Sequence, residues 1–287
     1  MTSSSKKTND YIMKAKFEEL SEEIYVKVSD GSEIRVLLSK ANEKSKNGYT
    51  ICFIAGWNTV VPGWDAVLLE AMKDFHIIYI ETREKGSSRL VKKTKSTPER
   101  LASDVQEVFA QLDVDEEKLI VFTSSFGVFV AGSGLADKKF NPFLNIFLGP
   151  SWKFNMPTGT RYIMYVLPNI LYGISKPIWK WWIRKFKSED PEQAAKYIRA
   201  IDEADVAKWR SAAYGFAFWN FREMYERINS FVVVVGMEKD KMHKSKEAKD
   251  ISELLKNSTY IDLGTNKNTH SANMAIAIRE LVSKYDK

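Results

Sequence analysis

The sequence has almost no cysteine: Cys52 is the single one among 287 residues. It has no partner for an internal disulfide and no companions for a structural zinc cluster, so an apolar core must hold the fold, and a reducing compartment suits it. Long apolar runs are missing too. An uncharged stretch in the middle of the chain, Tyr162 to Ser175, has 14 residues broken by Pro168 and Gly173, short of the roughly 20 that a bilayer-spanning helix needs. Met1 to Lys7 is polar and has no apolar signal region, so a cytoplasmic location is expected. Charge of one sign is scarcely in excess, with 43 Lys and Arg against 37 Asp and Glu for a net charge of +6. No basic nucleic-acid motif accompanies it, and no nucleic-acid partner is expected. A Gly-rich phosphate loop and a His-Glu-x-x-His pattern are both missing, which removes kinase, nucleotide-hydrolase and zinc-protease readings. What remains is an ordinary globular composition, 44% hydrophobic and 28% charged. That is enough to bury a core at this length and excludes disordered and collagen-like chains.

Residues 1–20 read as a polar lead-in. Ile24-Tyr25-Val26-Lys27-Val28 and Glu33 to Leu38 alternate around Ser29-Asp30-Gly31-Ser32, the pattern of a β-hairpin. Continuous apolar runs follow at Tyr49–Ala55, His76–Ile80, Lys118–Phe122, Leu144–Leu148, Phe231–Val235 and Thr259–Leu263, as in strands buried on both faces. Helical spacing separates them. Ser96-Thr97-Pro98-Glu99 predicts a helix start with a hydroxyl cap, a first-turn proline and a capping-box glutamate, followed by Leu101, Val105, Val108 and Leu112 on one face. Strands alternating with helices imply an α/β fold: a mostly parallel central sheet with helices on both faces. Residues 151–228 interrupt the alternation and hold six of the eight tryptophans. They read as a helical insertion between two strands of one sheet, flanked by core segments 21–150 and 229–287. Its aromatics either pack the insertion onto the body or form an apolar surface facing a ligand.

The run Lys118–Phe122 leads into Thr123-Ser124-Ser125-Phe126-Gly127 and then a helix-compatible segment. A serine with small residues two before and two after, on a turn from strand to helix, fits a nucleophile elbow. Ser125 fits, whereas Ser124 has Phe122 and Phe126 at those places. A serine capping the helix is the competing reading. Three histidines, His76, His243 and His270, are candidate bases, and Asp240 and Glu238 are candidate acids.

From about Glu23 onward the sequence resembles the α/β-hydrolase superfamily. Gly56-Trp57-Asn58 with Trp64 is similar to its oxyanion turn, with Ala55 in place of a histidine. Glu81-Thr82-Arg83-Glu84-Lys85-Gly86-Ser87-Ser88 is similar to its Asp-x-Arg-Gly-x-Gly-x-Ser segment, and Val232 to Asp240 to the strand and turn presenting its acid. The resemblance implies a triad of Ser125, His270 and Asp240, with an oxyanion hole at the backbone N–H groups of Phe126 and Trp57, and no metal or cofactor. It also implies that 151–228 is a cap, with Trp152, Trp209 and Trp219 as candidate substrate-binding residues. The expected activity is hydrolysis of a hydrophobic carboxylic ester; acyl transfer, carbon–carbon hydrolysis and a non-catalytic ligand-binding protein are the alternatives. Oligomeric state is not legible. Within the cap, Pro177 to Lys187 is amphipathic if helical, with Ile178, Trp182 and Phe186 on one face and Lys176, Lys180 and Arg184 on the other. The expectation is that the apolar face packs on the body; contact with a membrane surface is the second reading.

Overall fold

A computed structural model describes residues 15–44, 46–91, 96–154, 169–186, 191–217, 219–238 and 245–286. Its strands are β1 (Glu22–Lys27), β2 (Glu33–Ser39), β3 (Thr50–Ile54), β4 (His76–Glu81), β5 (Leu119–Ser124), β6 (Leu144–Leu148), β7 (Val232–Gly236) and β8 (Ser258–Asp262). They form one sheet in the order β1-β2-β4-β3-β5-β6-β7-β8. The pairings β1–β2 and β2–β4 are antiparallel, and the others are parallel. The described helices are α1 (Lys16–Leu20), α2 (Asp65–Ala71), α3 (Pro98–Gln111), α4 (Phe126–Ala136), α5 (Asn169–Phe186), α6 (Pro191–Glu203), α7 (Val206–Phe216), α8 (Arg222–Arg227), α9 (Ser245–Leu254), α10 (Asn266–Thr269) and α11 (Ala272–Tyr285).

Side chains alternate along each strand, so β3 gives Cys52 and Ile54 to one face and Ile51 and Phe53 to the other. Helices α3, α4, α8 and α9 cover the first face, and α1, α2 and α11 cover the second. Coverage on both sides explains why the inner strands read as unbroken apolar runs. Burial pushes the Cys52 thiol up, which leaves it inert.

Local details depart from the sequence expectations. Within the supposed lead-in, α1 folds onto the second face and buries Phe17. The cap of α3 is Thr97, whose hydroxyl accepts from Arg100 N–H at 3.3 Å. Position N3 is therefore Arg100 and not Glu99, and the expected capping box does not form. In α5 the expected orientation is reversed. Ile178 and Trp182 are exposed, while Lys176 and Lys180 on the opposite side are half-buried. The reason is a partner: Lys180 Nζ lies 2.7 Å from an Asp202 carboxylate oxygen, and Lys176 Nζ donates to the Asp202 carbonyl at 3.0 Å.

The helices of the insertion are fastened to the body at two places where no side chain fits. A Cβ on Gly86 would lie 2.0 Å from the Glu203 carbonyl oxygen, and one on Gly215 the same distance from that of Ser96. Beside the first, Lys208 Nζ donates to the carbonyls of Lys85, Gly86 and Ser88. Arg199 of α6 grips Glu18 of α1 with two bonds of 2.6 and 2.7 Å, and Arg35 adds its charge from β2.

Burial alone raises the Glu18 carboxyl, but the bonds from Arg199 and from Ala15 N–H, with the charges of Arg199 and Arg35, hold it below its ordinary value. A carboxyl depressed on folding adds stability above its unfolded pKa and loses it as pH falls through the folded one. Glu18→Ala should therefore cost about 3 kcal/mol near neutral pH. The difference from wild type should shrink as both are taken into acid. Thermal unfolding at a series of pH values checks this, and equal midpoints at neutral pH would refute it.

Candidate active site

Between β5 and α4 the chain turns on one residue. Ser125 has φ 50° and ψ −108°, a region that costs a residue with a Cβ roughly 1–3 kcal/mol. The turn is held from both sides: Ser125 N–H donates to the Leu148 carbonyl and Val128 N–H to the Ser125 carbonyl, each at 3.0 Å. A serine acting as a cap has extended backbone and accepts from the N–H of Gly127 or Val128. Ser125 has neither feature, and it is exposed. The flanks explain the residue choice. A Cβ at Gly127 would come within 2.1 Å of the Ile54 carbonyl oxygen. Thr123 is tolerated at the other flank because its hydroxyl is buried against β6, donating to the Ile146 carbonyl at 3.2 Å.

The turn after β3 stands directly against this serine, since a Cβ at Gly56 would lie 3.6 Å from Ser125 Cβ. Among the described residues, the backbone N–H groups of Trp57 and Phe126 donate to no protein acceptor. Phe126 is the first residue of α4, where such donors are left over and the helix dipole adds positive potential. The Gly56 turn is held by a lysine that sequence reasoning gave no role. The buried Lys85 Nζ donates to the carbonyls of Gly56 at 2.6 Å and Thr59 at 3.0 Å. It also lies 3.4 Å from Oε1 of Glu84, a fully buried carboxylate.

His270 follows α10 and is half-buried. Its ring stacks on Trp64, with centroids 4.0 Å apart and planes 28° from parallel. Trp64 in turn meets Phe122 of β5 edge-on, and the Thr269 hydroxyl reaches Met237 just past β7. These contacts bring His270 to the carboxyl end of the sheet, the end that holds Ser125. The Asn266 carbonyl is 2.9 Å from His270 Nδ1. The Thr269 hydroxyl lies 3.1 Å from the same nitrogen, so two residues of α10 hold the ring by Nδ1. Trp64 is the second residue whose part the sequence did not reveal. Asp240 and the rival base His243 lie outside the described residues. Glu238, the rival acid, is exposed and donates its N–H to Asp262. His76 sits at a strand end, its Nδ1 accepting from Ala41 N–H.

The three candidate tryptophans separate. Trp209 of α7 lies 5.0 Å from the Trp57 ring, in an aromatic group with Phe154, Phe126 and Phe216 that borders the elbow. Trp152 packs edge-on against Tyr225, and Trp219 stacks on Phe221 over α4. Among the described residues, no ring contact joins either to Trp57 or Phe126.

Lys85→Met removes the donor from two carbonyls of the turn and strands Glu84. Stability should fall by about 2–3 kcal/mol. Hydrogen exchange measured by mass spectrometry should become faster in the 55–60 segment than in β5, and uniform exchange across both would refute the clamp.

No family model and no curated protein sequence matches this chain. Solved structures match over nearly its whole length. An esterase from Thermogutta terrifontis superposes with TM-score 0.70 at 15% identity, covering 93% of this chain and 100% of the other. A bromoperoxidase from Bacillus anthracis gives 0.69 at 14%, with coverage of 92% and 99%. The enol-lactonase from Burkholderia xenovorans gives 0.68 at 16%, with 91% and 99%. The sheet order, the covered faces and these superpositions together make this an α/β-hydrolase fold.

Proposed function

We propose that the protein is a serine hydrolase that cleaves hydrophobic carboxylic esters through a covalent acyl-enzyme. The observation that carries this reading is the backbone of Ser125, strained at the end of β5 with its side chain released from helix capping. In the proposed mechanism His270 Nε2 takes the proton of Ser125 as its oxygen attacks the ester carbonyl carbon. Asp240 is assigned the orienting carboxylate. The developing oxyanion accepts from the N–H groups of Trp57 and Phe126, a donor pair of the kind that contributes roughly 3 kcal/mol each to the transition state. The protonated His270 gives its proton to the departing alcohol. Water then attacks the acyl group with His270 again the base, which returns free Ser125 and a carboxylic acid. Solved structures of the same fold include named esterases and an enol-lactonase, which supports hydrolysis in general.

Ser125→Ala should abolish fluorophosphonate labelling and reduce turnover by on the order of 10⁴ to 10⁶. Ser124→Ala should keep a substantial fraction. His270→Ala should match the first variant and Asp240→Asn should fall less far. An active His270→Ala protein would leave the mechanism without its base and refute it.

The aromatic group at Trp209 and Trp57 is assigned the acyl or aromatic part of the substrate. Each buried methylene then contributes up to about 0.8 kcal/mol, so kcat/KM should rise several-fold per two carbons until the space is full. Trp209→Ala should flatten that series while Ser125 still reacts with a small phosphonate. A flat series for the wild type would make these rings packing residues only.

A further inference from the structure

Helix α5 wears its apolar side outward. Ile174 is 68% exposed, Ile178 67%, Trp181 55% and Leu171 45%. At 100° per residue these four side chains fall in one stripe along the helix. A helix on the surface of a water-soluble body normally turns such a stripe inward. Here the inward side is taken by Lys176 and Lys180, bound to Asp202, and by Tyr172, whose ring lies 5.9 Å from Trp209.

The charge on the helix says what the stripe suits. Lys176, Lys180, Arg184 and Lys185 are its cations, and its sequence holds no Asp or Glu. Arg184 and Lys185 are exposed at the end of the stripe, and Lys185 Nζ stands 5.3 Å over the Trp181 ring. An anionic lipid surface offers the complementary charge, and indole rings with basic neighbours favour the boundary between headgroups and acyl chains. Among the described residues no helix is long and apolar enough to cross a membrane. The contact is therefore one that lies on the surface.

We propose that α5 is a docking face for an anionic phospholipid bilayer. Leu171, Ile174, Ile178 and Trp181 enter the headgroup–acyl boundary, and Arg184 and Lys185 lie among the lipid phosphates. The proposal concerns the outer surface of the protein and does not depend on chemistry at Ser125.

Flotation of the full-length protein with vesicles tests it. Vesicles of phosphatidylcholine mixed with phosphatidylglycerol should carry the protein upward and shift its tryptophan emission to the blue. Vesicles of phosphatidylcholine alone should do so far less, and high salt should weaken the capture. The double variant Ile174→Asp, Ile178→Asp should bind at least about tenfold more weakly with an unchanged unfolding midpoint. Ser125→Ala should float like the wild type, so loss of the hydrolase reading would leave the docking face standing. Three results would overturn it: no flotation with the anionic vesicles, flotation that the double variant leaves intact, or a dimer in sedimentation velocity that the double variant disperses while vesicles capture nothing.

Discussion

The approach of α4 to the end of β3 governs the rest of the site. It is possible because residue 127 has no side chain, and a Cβ there would sit inside the Ile54 carbonyl. Once the helix is that close, the chain leaving β5 has one residue in which to reverse, and Ser125 takes a left-handed φ. Sheet hydrogen bonding to Leu148 and the first helical bond to Val128 then fix the strained residue from both sides. The same closeness sets Gly56 beside Ser125, so the leftover N–H groups of Trp57 and Phe126 follow from a packing constraint. Strain of this kind persists only when the surroundings over-determine it.

Much of the fold was legible because its signals are local. Runs such as Val232–Val235 are apolar for a simple reason: helices cover both faces of the sheet, and alternation disappears when both faces are dry. The flanks of Ser125 were legible for the same reason, since the elbow is five consecutive residues. The stack of Trp64 on His270 was not, because it joins residues far apart in sequence through the shape of the sheet's carboxyl end. Lys85 stood inside a recognisable segment, yet nothing in a sequence tells which carbonyls a lysine will reach.

Composition also could not tell the tryptophans of the insertion apart. Trp209 meets Trp57 in the turn after β3, while Trp152 and Trp219 meet α8 and the residue before it, a difference of helix placement rather than of residue type. Helix α5 is the sharper lesson. Its amphipathic pattern was plain, but its direction was decided by Asp202 at the end of α6, which draws two lysines inward and turns isoleucine and tryptophan out. Periodicity defines a face and says nothing of which way it looks when a neighbouring carboxylate can outbid the core.

Lys85 and Gly86 are consecutive, and each holds a different part of the molecule. The Lys85 side chain carries the Gly56 turn, while the Gly86 backbone lies against the end of α6 and, with its neighbours, receives Lys208 from α7. That peptide is a crossbeam shared by the insertion and the turn beside Ser125. A displacement at the junction of α6 and α7 is passed to the Gly56 turn through this peptide and through the contact of Trp209 with Trp57, so this corner of the insertion cannot serve as a free hinge. Grafting a different insertion onto this body would therefore require carrying residues 84–88 along with it.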